Sequence, residues 1–256
     1  FYPPQDLGGM EQLCQEVVTE LRERGHRCGV LTSRHGIHGT EQPREEDVTR
    51  TLQLQANIDY YRPLDFFVRR QRELASRRAL RRALDDFQPD VICIWGMWNL
   101  TRWLAYWAEQ WMPGRVAYMV ASYWLTDPCI HQTYWLQPAR SRWASVLLAP
   151  VQHLALRVLA RERTAVALEL AQVACVSEYV RRKLGEADAL PHGARVIYNG
   201  IDPRPFLSAT VGQRSAGEGM RLIYTGSILP HKGVHIAIEA LGLLRQRDAV
   251  DGLTLT

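Results

Sequence analysis

The chain has 256 residues and a net charge of +4; 46% of the residues are hydrophobic, 23% charged and 9% aromatic. This ordinary globular composition excludes a disordered chain, a collagen-like repeat and a coiled coil, and the length predicts one or two domains. The apolar runs are too short, or too interrupted by charge, for a membrane span of about 20 residues.

In chain order, short apolar runs alternate with segments of helical periodicity. We predict helices over residues 9–24, 66–87, 99–111, 140–171, 178–187 and 233–245. We predict strands over residues 27–32, 90–95, 116–121, 172–176, 195–198 and 220–225. A polar stretch over residues 33–63 and an aromatic loop up to Pro138 complete the pattern. Strands and helices that alternate in this way predict an α/β protein with a parallel sheet.

Residues 208–219 are small, polar and glycine-containing, which is typical of a linker. We therefore predict an N-terminal domain over residues 1–207, this linker, and the start of a second domain over residues 220–256. A doubly wound fold normally has a strand before its first loop, and residues 220–256 are too few for an independent core. We accordingly expect a first strand before Phe1 and most of the second domain after Thr256.

Positive charge is concentrated in one segment of the chain. From Arg69 to Arg82 there are seven arginines and the single acid Glu73, a net +6, so the rest of the chain sums to −2. The chain is therefore not uniformly basic, and we expect no nucleic-acid partner. The segment predicts either a solvated helix face or a basic helix that lies against an anionic membrane surface.

The five cysteines are widely spaced and form neither a Cys-x-x-Cys motif nor a Cys/His zinc spacing. We therefore expect no metal site. Cys28, Cys93 and Cys175 fall inside apolar, strand-like runs. This placement indicates small buried side chains in a reducing compartment.

A diglycine, Gly8-Gly9, stands at the start of the first predicted helix. Without side chains there, the backbone can approach a ligand closely, and the first helix amides form a ready anion site. The alternative is a tight turn into a helix. The motif is not Gly-x-Gly-x-x-Gly, so the dinucleotide fingerprint is absent at this point.

A second glycine-containing turn joins the last predicted strand to the last predicted helix. It ends in Lys232-Gly233, and the chain holds one other lysine, Lys183. A cation beside the positive N-terminus of a helix is unfavourable unless an anion joins them, so this turn indicates a bound phosphate. The alternative is an exposed loop lysine.

A third turn follows the strand over residues 195–198. It reads Asn199-Gly200-Ile201-Asp202-Pro203, and Asn-Gly supports a turn with positive φ. Taken alone, this segment is either a structural turn before the linker or part of a binding site.

These three segments, in this order, resemble the GT-B glycosyltransferases of glycosyltransferase family 4. The opening match consists of Tyr2-Pro3-Pro4, Gly8-Gly9, Glu11, Leu21, Arg24-Gly25-His26 and Val30-Leu31-Thr32. The middle match consists of Val176-Ser177, Tyr179, Leu184, Val196-Ile197, Asn199-Gly200-Ile201-Asp202 and Phe206. The last match consists of Tyr224, Gly226, Lys232-Gly233, Ala240 and Leu243-Leu244. The resemblance spans nearly the whole chain.

The resemblance implies two Rossmann-like domains that face each other across a cleft, the first holding most of the acceptor site and the second binding a nucleotide-diphosphate sugar. It implies transfer with retained anomeric configuration, without a cofactor or an essential metal. It assigns donor binding to Gly8, Gly9, Asn199, Gly200, Asp202, Gly226, Ser227, Lys232 and Gly233. Among these, the diglycine would approach the donor phosphate and sugar, and Lys232 would bind the diphosphate, where charge builds as it leaves.

The chain departs from the family pattern at three points. Ser227 stands where the family has a phosphate-binding arginine, and no histidine ends the strand over residues 116–121. The family's paired glutamates lie beyond Thr256, so we expect residues 1–256 by themselves to be inactive.

No catalytic residue is assigned by the resemblance. The catalytic candidates are Asp127 and His131 in the aromatic loop. Tyr123 and Trp124 open the same loop, and we expect them to contact the acceptor because ligands bind outside the ends of strands in open α/β sheets.

We predict a retaining hexosyltransferase that moves a sugar from a nucleotide-diphosphate sugar to a glycan or lipid-linked acceptor in surface polysaccharide or glycolipid synthesis. We expect it in the cytoplasm, either free or peripheral at the inner face of the membrane. Two alternatives remain open. One is a non-catalytic relative that binds sugar nucleotides or glycans, and the other is a Rossmann enzyme with a nicotinamide cofactor, which the absent fingerprint disfavours.

Overall fold

A computed structural model describes residues 1–5, 8–35, 47–138, 142–207, 221–226, 228–246 and 254–255. The chain divides into two compact units, Phe1–Gly200 and Ile201–Thr256. The predicted linker over residues 208–219 lies outside the described residues.

The first unit alternates helices and strands. Its helices are α1 (Gly9–Glu23), α2 (Pro63–Phe87), α3 (Trp103–Trp111), α4 (Ile130–Leu136), α5 (Arg142–Ala165) and α6 (Glu178–Glu186). Its strands are β1 (Val30–Ser33), β2 (Val48–Leu52), β3 (Ile92–Ile94), β4 (Val116–Val120), β5 (Gln172–Cys175) and β6 (Arg195–Val196). The second unit contains α7 (Arg204–Leu207), β7 (Arg221–Leu222), a 3₁₀ turn (Pro230–Lys232), α8 (Val234–Gln246) and β8 (Thr254–Leu255).

All strand pairs in the described residues are parallel, apart from one isolated bridge near the N-terminus. In the first unit β1 pairs with β2, and β3, β4, β5 and β6 form a four-stranded sheet in that order. In the second unit β7 pairs with β8. The predicted α/β fold with parallel sheets is therefore confirmed, and the helices that connect parallel strands give it a Rossmann-like character.

The core of the first unit is centred on β4. Val116, Tyr118 and Val120 are buried on this strand, and they pack against buried residues of α2, α3, β5 and α6. Both faces of a parallel sheet are covered by its crossover helices, which is why β4 is a continuous apolar run in the sequence. Leu104, Ala105 and Ala108 bring α3 onto this core.

A buried carboxylate fixes the segment that enters β5. Glu109 of α3 accepts hydrogen bonds from the Tyr118 hydroxyl at 2.7 Å and from the backbone N–H groups of Glu169 and Leu170, both at 2.9 Å. Burial, with the hydrogen bond to Glu109 next in weight, raises the pKa of Tyr118 well above its usual range. Tyr118 therefore remains a neutral donor at physiological pH.

In the first unit two elements were not predicted, and both have a local physical reason. Strand β2 lies in the stretch predicted to be polar and without regular structure. It was missed because its central residue, Arg50, is charged and yet buried. The Arg50 guanidinium donates to the backbone carbonyls of Tyr2 at 2.8 Å and Pro3 at 2.6 Å, so its partners are 47 and 48 residues away. Helix α4 lies in the predicted aromatic loop, and its seven residues are too few for a helical period to be recognised.

The cysteines differ in burial. Cys175 is buried in β5, Cys14, Cys28 and Cys129 are half-buried, and Cys93 is exposed. The prediction of buried side chains is therefore right for Cys175 and wrong for Cys93, since β3 is an outer strand of the four-stranded sheet. Of the helices in the described ranges, none combines the length and the apolar character needed to cross a bilayer.

Candidate functional site

The diglycine lies at the start of α1, with Gly8 as the N-cap residue and Gly9 as the first helical residue. Gly8 has a φ of 174°, an extended backbone that any residue adopts. A Cβ atom built on either glycine would meet no other atom of the described residues within 4 Å. The two glycines therefore leave open space in front of the positive end of a 15-residue helix, where a ligand could approach the backbone.

Asn199 and Gly200 follow β6, the last strand of the four-stranded sheet, and both residues are exposed. Neither has a φ in the positive, left-handed region, so the prediction of a positive-φ turn here is wrong, and the chain continues without a regular turn. Asp202 belongs to the second unit. Its carboxylate accepts hydrogen bonds from the backbone N–H of Arg204 at 3.0 Å and from the Arg204 side chain at 2.9 Å, and these bonds lower the pKa of Asp202. Asp202 thus caps the short helix α7.

The turn before α8 has the geometry that only glycine accommodates well. Gly226 and Gly233 have φ values of 152° and 73°, in the left-handed half of the Ramachandran plot. A Cβ on Gly226 would lie 3.1 Å from the Tyr224 hydroxyl. Ser227 lies outside the described residues.

Lys232 ends the 3₁₀ turn and is followed by Gly233 and the N-terminus of α8. Its side chain is exposed, and it forms no ion pair within the part of the chain that the structure describes. Lys183, the other lysine, donates to Glu186 at 2.9 Å. Lys232 is therefore a cation beside the positive N-terminus of α8, an arrangement that a bound anion would stabilise.

Tyr123 and Trp124 lie directly beyond β4, where the chain turns sharply. The Tyr123 carbonyl accepts hydrogen bonds from the backbone N–H groups of Thr126 at 2.8 Å and Asp127 at 2.7 Å. Both aromatic side chains are half-buried, whereas Asp127 is exposed. The two predicted acceptor contacts and Asp127 thus share one turn at the carboxyl edge of the sheet.

His131 is buried in α4, with 2% of its surface exposed. Its Nδ1 lies 2.8 Å from the Tyr61 hydroxyl and its Nε2 lies 3.0 Å from Oε1 of Gln55. Burial, reinforced by the charge of Arg69, lowers the pKa of His131 from 6.5 to about 4. The imidazole is neutral at pH 7, and both nitrogens are engaged within the protein, so it joins α4 to the segment after β2.

The arginines of α2 divide into two groups. Arg69 pairs with Glu162 of α5 at 2.9 Å, and three others are paired with acids as well, namely Arg70, Arg72 and Arg81. Arg77, Arg78 and Arg82 are exposed and have no acidic partner among the described residues. Part of the positive charge of this segment is thus neutralised by acidic residues, and the pairs with Glu162 join α2 to α5.

Two positions that sequence reasoning missed shape the same edge of the sheet. Asn99, with a positive φ of 55°, donates from Nδ2 to the Ala56 carbonyl at 2.7 Å and accepts from the Ala56 N–H at 3.0 Å. This clamp ties the loop after β3 to the loop after β2. Arg102, three residues further on, is half-buried beside the Trp124 ring. An asparagine after a predicted strand is a signal for positive φ, but its partner cannot be read from sequence.

The parallel sheets and the helices that connect their strands define a Rossmann-like α/β protein. Its helix α1 has an open N-terminus, and a lysine followed by a left-handed glycine precedes α8. Comparison with known families then gives the assignment: residues 7–204 match the model of Glycosyltransferase Family 4. The chain belongs to this family, and the resemblance noted from its motifs is confirmed. A search of curated proteins found no match.

Proposed function

We propose that the chain forms part of a retaining glycosyltransferase that transfers a sugar from a nucleotide-diphosphate sugar to a glycan or lipid-linked acceptor. Membership of the family supports a transferase with a sugar donor and an acceptor. The observation that carries the donor assignment is Lys232, an exposed cation without an acidic partner in the described residues, placed between left-handed Gly233 and the preceding turn. This arrangement supports binding of a diphosphate.

The chemistry follows from the charge that develops on the leaving group. When the bond between the anomeric carbon and the diphosphate breaks, negative charge accumulates on the phosphate oxygens. A fixed ammonium group and helix amides stabilise that charge more strongly in the transition state than in the ground state. Lys232 and the first amides of α8 would supply this stabilisation, without a cofactor or an essential metal.

The resemblance assigns Gly8 and Gly9 to the donor, and the open space before α1 would allow the donor's phosphate and sugar close to the backbone. The first unit would also supply the acceptor side. Tyr123 and Trp124, half-buried at the end of β4, offer aromatic faces to an acceptor. Asp127 stays the more accessible of the two catalytic candidates, since both ring nitrogens of His131 are already engaged.

A membrane-bound acceptor would be reached through α2. Its exposed surface carries Leu64, Phe67 and Leu74 together with the unpaired Arg77, Arg78 and Arg82. Apolar side chains that enter the interface and arginines that meet anionic headgroups are the two components of peripheral binding. We therefore propose a cytoplasmic protein that works at the inner face of the membrane in polysaccharide or glycolipid synthesis.

The alternative function is a non-catalytic relative that binds sugar nucleotides or glycans. Two observations favour it: Ser227 replaces a cation expected to bind phosphate, and β4 leads into Ala121-Ser122 rather than a histidine. His131 does not compensate for the missing histidine, because it is buried with both nitrogens hydrogen-bonded.

The donor assignment is tested by titrating the protein with UDP- and GDP-sugars in a calorimeter. Loss of one charge-assisted hydrogen bond, worth about 1.5–3 kcal/mol, predicts that Lys232→Ala weakens donor binding by about 10- to 100-fold. Lys183→Ala is the matched control, because this lysine is paired with Glu186 on another helix. Equal effects of the two substitutions would contradict the assignment.

A further inference from the structure

A cavity of about 500 Å³ opens on the surface of the first unit. Arg102 contributes from the loop after β3, and Leu125 and Thr126 contribute from the turn after β4. The segments over residues 166–170 and 187–191 complete the lining, together with Arg163 at the end of α5. The cavity thus lies where the loops that follow β3 and β4 meet the segments that lead into β5 and β6.

The Nε atom of the Arg102 side chain has no hydrogen-bond partner among the residues that the structure describes. This atom is buried, and the Arg102 guanidinium carbon lies 5.8 Å from the centre of the Trp124 ring. Buried donors in proteins are almost always paired, so an unpaired arginine nitrogen at a cavity indicates a missing acceptor.

Arg163 brings a second guanidinium group to the same cavity. Its Nη2 donates to the Thr126 carbonyl at 2.8 Å, which anchors it on the turn after β4. Burial, and then the charge of Arg163, lower the pKa of Arg102, so the two cations are close enough to repel each other. Neither of them forms an ion pair with an acid in the described residues, although the exposed Glu169 and Asp188 lie at the rim.

The lining fits a sugar as well as an anion. Leu125, Val166 and Leu168 provide apolar surface for the face of a sugar ring, and the Trp124 ring lies beside Arg102. Glu169 and Asp188 can accept hydrogen bonds from sugar hydroxyl groups at the rim, whereas a planar guanidinium favours two oxygens of one oxyanion.

We propose that this cavity binds an acidic sugar, with Arg102 and Arg163 holding its oxyanion and Leu125, Val166 and Leu168 against the ring. The oxyanion is a phosphate or a carboxylate, which share this chemistry. The proposal rests on the proposed function, because it makes the acidic sugar the acceptor, or the acidic end of the acceptor, of the transferase.

The test is calorimetric titration of the protein with glucose 6-phosphate, glucuronate and glucose. We expect at least one of the two acidic sugars to bind at least tenfold more tightly than glucose, and the comparison between them identifies phosphate or carboxylate as the preferred group. Arg102→Gln should weaken that binding by tenfold or more, and Arg102→Lys should weaken it less. Arg115→Gln is the control, since Arg115 is exposed and precedes β4.

The outcomes separate this proposal from the donor assignment. Equal binding of glucose and the acidic sugars, no binding of any of them, or binding that Arg102→Gln leaves unchanged overturns the cavity proposal, whatever Lys232→Ala does to nucleotide-sugar binding. Acidic-sugar binding that depends on Arg102, in a protein that binds no nucleotide sugar, supports the cavity and overturns the donor assignment. Unchanged far- and near-UV circular dichroism of Arg102→Gln excludes misfolding as the reason for lost binding.

Discussion

Acidification should destabilise the first unit through His131. The imidazole is buried, its pKa is lowered to about 4, and the neutral form accepts from Tyr61 and donates to Gln55. In the unfolded chain the pKa returns to about 6.5, so the unfolded state binds a proton first as the pH falls. The stabilising contribution is therefore fully present above pH 6.5 and is lost between pH 6.5 and 4.

Linkage gives the size of the effect. With pKa values of about 4 folded and about 6.5 unfolded, the free energy of unfolding falls by about 2 kcal/mol between pH 7.5 and pH 5.0, and by about 3 kcal/mol by pH 3. Burial contributes most to the lowered pKa of His131, and the charged neighbours that modify it are Arg69, Asp65 and Arg72.

The assay is urea unfolding at pH 7.5 and pH 5.0, for the natural protein and for His131→Gln. Glutamine can replace part of the hydrogen bonding but does not titrate, so the variant should lose about 2 kcal/mol less on acidification. Carboxylates that titrate in this range contribute equally to both proteins and cancel in the difference. The same pH dependence in both proteins would refute the inference that His131 is buried in its neutral form.

Three further perturbations test other parts of the structure. Glu109→Ala leaves three donors around a buried site unpaired and should lower the free energy of unfolding by about 3–5 kcal/mol in urea, whereas a loss under 1 kcal/mol would contradict the network. Gly233 has a φ of 73°, so Gly233→Ala should destabilise the turn before α8 by about 1–2 kcal/mol and speed hydrogen exchange of the α8 amides. Unchanged exchange would argue against the left-handed turn. Replacing Arg77, Arg78 and Arg82 together by glutamine should reduce binding to phosphatidylglycerol vesicles about 100-fold in co-sedimentation, whereas Arg115→Gln should have no effect. Equal binding of the natural protein to zwitterionic vesicles would contradict the role assigned to these three arginines.

The fold was largely predictable because a central strand of the four-stranded sheet, β4, is almost completely buried. A strand such as β4 is covered on both faces, so its sequence is a continuous apolar run that stands out between helical periods. Strand β2 was not predictable for the opposite reason. Its central Arg50 is charged but buried. The carbonyl groups that accept its hydrogen bonds belong to Tyr2 and Pro3, which are 48 and 47 residues earlier in the chain.

The candidate site was predictable where one residue type determines the backbone, and not where long-range contacts decide. Gly233 has the left-handed conformation that glycine accommodates best, and so the turn around Lys232 was recognisable from sequence. The sequence does not show which arginines of α2 form ion pairs, because a partner can be distant in the chain. Arg69, for example, pairs with Glu162, which is 93 residues further along. The burial of His131 likewise depends on Tyr61 and Gln55, about 70 residues before it.

The most direct measurement of the central claim is sugar transfer by the product of the whole gene. The protein is incubated with UDP- or GDP-sugars and acidic-sugar or lipid-linked acceptors, and nucleoside diphosphate and glycosylated product are detected by mass spectrometry. The account predicts that both appear in equal amounts, that the new bond retains the donor's anomeric configuration by NMR, and that Lys232→Ala lowers the rate more than Lys183→Ala. Donor binding without release of nucleoside diphosphate from any donor would contradict a transferase and favour the non-catalytic sugar-nucleotide-binding relative.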